Sequence, residues 1–137
     1  MIRVVSRLLP LVASLLAACA GGAPSSTMKE LQHAKAGALD VVLLSATDVL
    51  PQGRSSAVVE FRSSNGSLVD VGTVKVNATM PMAGMAPMIA GSDVKPTSVP
   101  GRYEVETQFG MAGTWRIDIH WDGPAGKGTA SLAGAVQ

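Results

Sequence analysis

The last third of the chain contains the pattern that most restricts its fold. From Trp115 to Asp122, large apolar residues alternate with polar ones: Trp115, Ile117, Ile119 and Trp121 on one side, and Arg116, Asp118, His120 and Asp122 on the other. A period of two residues is typical of a β-strand with one buried face and one solvated face. Shorter stretches at 57–62, 74–80 and 103–109 repeat the alternation. Clean alternation of this kind favours an antiparallel sheet.

Turn residues separate these runs. Asn65-Gly66 is a strong hairpin signal, Pro100-Gly101 marks a second turn, and "DGPAGKG" marks a third. An apolar run, "LDVVLLSA", starts at Leu39, and "TASLAGAV" closes the chain. With short strands and no long helical period, the sequence predicts an all-β protein: an immunoglobulin-like antiparallel β-sandwich of about seven strands over residues 39–137.

The N-terminus has the layout of a bacterial export signal. Arg3 and Arg7 precede an almost purely apolar run that ends in small residues, which predicts a signal peptide over 1–18. This run is shorter than the about 20 residues that span a bilayer. Leu16-Ala17-Ala18-Cys19 resembles the lipobox of lipoproteins, which implies that Cys19 is lipidated. The alternative is an ordinary cleaved signal with a chance cysteine.

Residues 19–38 are predicted to be the lipidated cysteine and a flexible tether, because glycine, proline and serine follow Cys19. Thr27 and Glu30 have the spacing of a capping box, so a short helical turn through His33 is compatible with the sequence. Ala20, rather than an acidic residue, follows the cysteine. The predicted location is therefore the cell envelope, with a lipid anchor in the outer membrane facing the periplasm.

Composition excludes several chemistries. Cys19 is the only cysteine, so its lipidation leaves no thiol for a disulfide, a nucleophile or a thiolate metal site. Of 11 basic residues, Arg3 and Arg7 lie in the signal, which leaves nine against ten acidic ones. A near-neutral chain without a basic block gives no support for nucleic-acid binding. No catalytic triad or phosphate-binding loop is present, and we predict that the protein is not an enzyme.

The segment "MPMAGMAPM" holds four of the seven methionines: Met80, Met82, Met85 and Met88. Thioethers are soft, neutral donors that suit Cu(I) and Ag(I). Met80 continues an inward-facing alternation, whereas Pro81 and Pro87 predict a loop in which Met85 and Met88 are the most exposed. Met111 opens a turn that can approach this loop. The alternative interpretation is packing, since methionine also fills irregular core gaps.

Three motifs, in this order, resemble the YtkA-like domain and the related soluble domain of FixH proteins: "MPM" at 80–82, "PGRY" at 100–103, and "MAGTW" at 111–115. The resemblance covers roughly Leu39 to Val136. It implies a small periplasmic β-sandwich and a link to copper or related metals, through an efflux adaptor or an oxidase-assembly protein. Membrane-bound FixH has a transmembrane helix, whereas we expect a lipid anchor in place of such a helix here.

Two functions follow as hypotheses. In the first, a periplasm-facing lipoprotein binds Cu(I) or Ag(I) through Met80, Met82, Met85, Met88 and Met111, with His120 as a further candidate ligand, and assists metal efflux or metalloenzyme assembly. His120 falls on the polar face of its strand, and His33 falls in the tether. In the second, the methionine-rich loop is a repackable surface that binds an envelope protein without metal.

Overall fold

A computed structural model describes residues 27–137 as eight antiparallel strands. They are β1 (Lys29–Ala36), β2 (Leu39–Ser45), β3 (Gly53–Ser63), β4 (Thr73–Met80), β5 (Met88–Pro96), β6 (Arg102–Phe109), β7 (Gly113–Gly123) and β8 (Gly126–Val136). The all-β antiparallel prediction is confirmed. The predicted signal peptide and Cys19 lie outside the described residues. Within 27–137 no helix is long and apolar enough to cross a bilayer.

The eight strands form one continuous sheet in the order β1-β2-β3-β6-β5-β4-β7-β8. The sheet has two layers, one formed by β1, β2, β3 and β6 and the other by β4, β7 and β8. Strand β5 belongs to both layers, because residues 88–91 pair with β4 and residues 92–96 pair with β6. At the outer edges β1 contacts β8, and Leu50 forms a parallel bridge with Val136. The sheet therefore folds over itself and nearly closes into a barrel-like form.

The core lies between the inner faces of the two layers, where the alternating apolar residues meet. Phe61 packs edge-on against Tyr103 and Trp121, with ring centroids 5.6 and 5.1 Å apart. Phe109 packs against Trp115 at 5.2 Å, near the other end of the core. Both tryptophans are buried, as the alternation predicts.

The first strand was not predicted. Residues 29–36 are β1, paired along β2, and not a tether with a helical turn, so the folded region begins before the predicted boundary at Leu39. The strand forms because its backbone completes the edge of β2, while Leu31, Ala34 and Ala36 pack against the core. This tertiary contact overrides the local helical signal.

The "PGRY" motif allows the backbone at Gly101 to pass close to the backbone at Val69. Gly101 has φ +85°, and a Cβ at this position would lie only 2.7 Å from the Val69 carbonyl oxygen. The Tyr103 hydroxyl donates a 2.9 Å hydrogen bond to the Gly72 carbonyl. Burial raises the pKa of Tyr103 above its ordinary value, with a further contribution from Asp70. The motif therefore has a structural role.

Candidate metal centre

Strands β4 and β5 place two methionines opposite each other. Met80 ends β4, Met88 begins β5, and the two are Cα partners in the antiparallel ladder. The loop 81–87 joins them, as the prolines predict. In this loop the Met85 amide donates to the Met82 carbonyl at 3.3 Å, and Gly84 takes the positive φ of +71° that this turn requires.

The turn between β6 and β7 packs against the same two methionines through its glycines. A Cβ built on Gly113 would lie 2.6 Å from Met80 Cε and 3.6 Å from Met80 Sδ. A Cβ built on Gly110 would lie 3.0 Å from Met88 Cε. Each methionine thus occupies space that a side chain at the facing glycine would need. Met111 lies between these glycines, so three separate segments bring a methionine to one end of the molecule.

The core fixes the position of this turn. The indole nitrogen of Trp115, a fully buried residue, donates a 3.0 Å hydrogen bond to the Met111 carbonyl. Its ring is held in turn by Phe109. This hydrogen bond engages the backbone carbonyl of Met111 and not its thioether. Both glycines are visible in the sequence motif "FGMAGTW". The sequence does not indicate that they face Met80 and Met88, because this contact depends on how the strands pair.

The methionines differ in exposure. Met85 is 68% exposed, as predicted, and Met111 is 39% exposed. Met80 and Met82 are half-buried. The prediction of an exposed Met88 is wrong: it is half-buried and packs against the core, as Met80 does, because β5 already starts at this residue. Met80 and Met88 are therefore held against the core, whereas Met85 and Met111 are more accessible to solvent.

No charged side chain occurs in the segments that build this end, residues 80–92 and 107–115. Among residues 27–137 no three His, Cys, Asp or Glu side chains are grouped in a way that could hold a metal ion. The five thioether sulfurs are therefore the soft donors of these two segments, beside neutral hydroxyl, amide and backbone oxygens. Thioether sulfur prefers soft ions over zinc, which takes thiolate, imidazole or carboxylate ligands.

The structure does not bring either histidine to the methionines. His120 is exposed on the outer face of β7, opposite Lys75 and Thr129. It lies seven residues from Gly113 along the strand, which corresponds to roughly 20 Å at the rise of a β-strand. His33 lies in β1, where its Nδ1 is 2.9 Å from Glu30 Oε1. Neither position supports a ligand role beside the thioethers.

The acidic residues near His120 have local partners. Asp118 accepts hydrogen bonds from the Ser131 hydroxyl and, at 2.9 Å, from Arg116 Nε. The bond from Ser131 is the main reason that the pKa of Asp118 lies below its ordinary value, with Arg116 adding to the effect. A carboxylate held in its charged form in this way is poorly suited to donate a proton near neutral pH.

Comparison with known proteins gives one match. No curated protein and no solved structure matches the chain. The model of the YtkA-like family matches residues 33–120, a range that runs from β1 into β7 and contains all five methionines described above. Because this match spans more than half of the sequence, the chain belongs to the YtkA-like family.

Proposed function

We propose that this protein binds a soft monovalent ion, Cu(I) or Ag(I), through the thioethers at the methionine-rich end. The observation that carries the proposal is that Met80 and Met88 face each other in the β4–β5 ladder and pack against the two glycines that flank Met111 in the β6–β7 turn. Met82 and Met85 lie in the loop 81–87 that connects Met80 to Met88, so they would supply further thioether donors next to this pair. Thioether sulfurs grouped in one small region are soft ligands of the kind that select such an ion.

The chemistry of the donors supports reversible binding. Thioethers bind without losing a proton, so affinity should depend little on pH, unlike binding by thiolates or imidazoles. They do not form disulfides, which suits an oxidising compartment. Sites built only from neutral sulfur, on a partly exposed surface, favour exchange over storage. This supports a role as an accessory that passes the ion to an efflux adaptor or a metalloenzyme-assembly partner.

The proposed location follows from the N-terminal sequence. Lipidation at Cys19, with a short tether before β1, would hold the domain at the periplasmic face of the outer membrane. At that position the protein would exchange ions with other envelope proteins and not with the cytoplasm. Mass spectrometry of the mature protein tests lipidation. The mass of the parent should include the acyl chains, whereas the mass of Cys19→Ala should not.

A Cu(I) competition titration tests the metal proposal. The full chain, kept in detergent, is titrated against a chromogenic Cu(I) chelator, and Ag(I) serves as a redox-inert second probe. A variant with Met80, Met88 and Met111 changed to leucine keeps apolar side chains of similar size, so it should fold but lose binding. Met28→Leu, a half-buried methionine outside the site, is the matched control. No binding by the parent chain would refute the proposal, and so would unchanged binding by the triple variant.

A second candidate function rests on the apolar side chains exposed at the same end. Ile89 is 74% exposed on β5, close in sequence to the exposed Met85. An exposed apolar group within an uncharged segment is a feature of protein contact sites. In this alternative the loop binds an envelope protein without metal. Ile89→Lys should then abolish capture of that partner, while the triple leucine variant should retain it; the reverse pattern would contradict the adaptor role.

A further inference from the structure

A small cavity lies in the core between the two layers, next to Phe109 and Ile117. All the residues that line it are buried. The centre of a water molecule has about 10 Å³ available there. This volume is close to what one water needs and too small for two.

The cavity is not purely apolar, because Ser55 faces it. Ser55 is 2% exposed, and its Oγ has no hydrogen-bond partner among residues 27–137. A buried hydroxyl without a partner loses its hydration and gains nothing in return. Empty cavities in proteins are typically lined by apolar atoms alone, whereas polar ones hold water.

A second hydroxyl lies beside Ser55 on the same wall of the cavity. Thr107 is the Cα partner of Ser55 in the β3–β6 ladder, and it also lines the cavity. Its Oγ1 is 2.5 Å from Ser92 Oγ, so one of its bonds is already used. A hydroxyl has one donor and two acceptor positions, so Thr107 retains capacity for another partner.

We propose that this cavity is a binding site for a single water molecule, held between the hydroxyls of Ser55 and Thr107. The water gives Ser55 the partner that the protein does not provide, and two polar contacts meet the usual minimum for an internal water. The cavity lies close to the methionine-rich end, because Ala78, which lines it, is two residues before Met80 on the same face of β4. It is independent of metal binding.

Nuclear magnetic resonance on the full chain in detergent tests the site. The methyl groups of Ala57 and Ala78 line the cavity and should show cross-peaks to a long-lived water. Ser55→Ala should remove these cross-peaks, and Thr107→Val, which keeps the side-chain shape, should remove or weaken them. Ser56→Ala is the matched control, because Ser56 is exposed on the other face of the same strand and its loss should leave the cross-peaks intact.

A high-resolution crystal structure separates bound water from exchanging hydroxyl protons. The expected result is a density peak about 3 Å from both Ser55 Oγ and Thr107 Oγ1. The proposal is overturned if the parent protein shows no such peak, or if Ser55 Oγ bonds directly to Thr107. Cross-peaks of unchanged intensity in both Ser55→Ala and Thr107→Val would also overturn it.

Discussion

Replacing Gly113 by alanine tests how the β6–β7 turn packs against Met80. Gly113 has φ +141°, a conformation that residues with a Cβ avoid, and this strain costs about 1–3 kcal/mol. The new Cβ would lie 2.6 Å from Met80 Cε, so the methionine must leave its preferred rotamer, at a further cost of about 0.5–1.5 kcal/mol. Together these terms predict a loss of about 1.5–4.5 kcal/mol in the free energy of unfolding.

Two other glycines separate the contributions. Gly126 has φ +117° and no atom within 4 Å of its Cβ position, so Gly126→Ala reports strain alone. Gly110 has no positive φ, but its Cβ would lie 3.0 Å from Met88 Cε, so Gly110→Ala reports contact alone. Urea denaturation of the three variants, at unchanged m-values, gives the differences in free energy. The loss for Gly113→Ala should approach the sum of the other two.

The reasoning is refuted if Gly113→Ala destabilises the protein no more than Gly126→Ala, since Met80 would then not occupy the space over the turn. A double-mutant cycle sharpens the test. In a Met80→Ala background the terminal methyl group is gone, so Gly113→Ala should cost about 1 kcal/mol less than in the parent. Equal costs in both backgrounds would show that the two residues are not coupled.

Three further variants address the rest of the fold. Gly101→Ala should cost at least about 3 kcal/mol by urea denaturation, because the new Cβ meets the backbone of Val69. Tyr103→Phe should cost about 1 kcal/mol at neutral pH through its lost hydrogen bond. Because the pKa of Tyr103 is raised in the folded protein, its titration contributes stability that is full below pH 10.0 and is lost as pH rises through the folded pKa. The phenylalanine variant has no such group, so it should lose less stability than the parent above pH 10.0. Glu60→Gln should cost about 1–3 kcal/mol in thermal denaturation, because the buried carboxylate binds two partly exposed arginines and an amide presents N–H groups to one of them.

Each of these variants has a control. Gly66 has the same φ of +85° as Gly101 but open space around its Cβ position, so equal losses for the two alanine variants would contradict the clash with Val69. An unchanged alkaline slope in Tyr103→Phe would contradict the raised pKa. Glu104→Gln, at an exposed position on β6, should change stability little, and an equal effect of Glu60→Gln would exclude a special role for the buried carboxylate.

The strands with one wet face were the predictable part of the fold. In β4 and β7 the polar and apolar residues alternate without interruption, and in β6 only the buried Thr107 departs from the pattern. Each inward position of these alternating stretches is buried, apart from the half-buried Met80 at the end of β4. Strand β1 escaped prediction because its lysines, glutamate and alanines favour a helix locally, and only pairing with β2 makes it a strand. Strand β5 escaped prediction because it contains Gly91, ends at Pro96 and changes its pairing partner midway.

The candidate site was predictable as a list of methionines but not as an arrangement. Alternation predicts that Met80 points inward and that His120 is exposed, and both hold. The opposition of Met80 and Met88 depends on the register of the β4–β5 ladder, which a seven-residue loop does not determine by itself. The glycines that face these two methionines belong to a different hairpin, so their role depends on the packing of the whole sheet.

The division of β5 between two pairing partners has a consequence for how the domain opens. Residues 88–91 are hydrogen-bonded to β4 and residues 92–96 to β6, so one continuous backbone belongs to both layers. Neither layer can separate without breaking the ladder on one side of Gly91. Amide protons in the middle of β4 and of β6 should therefore exchange with deuterium through the same global opening, with equal free energies and equal denaturant dependence. The two layers are therefore expected to open as a single cooperative unit.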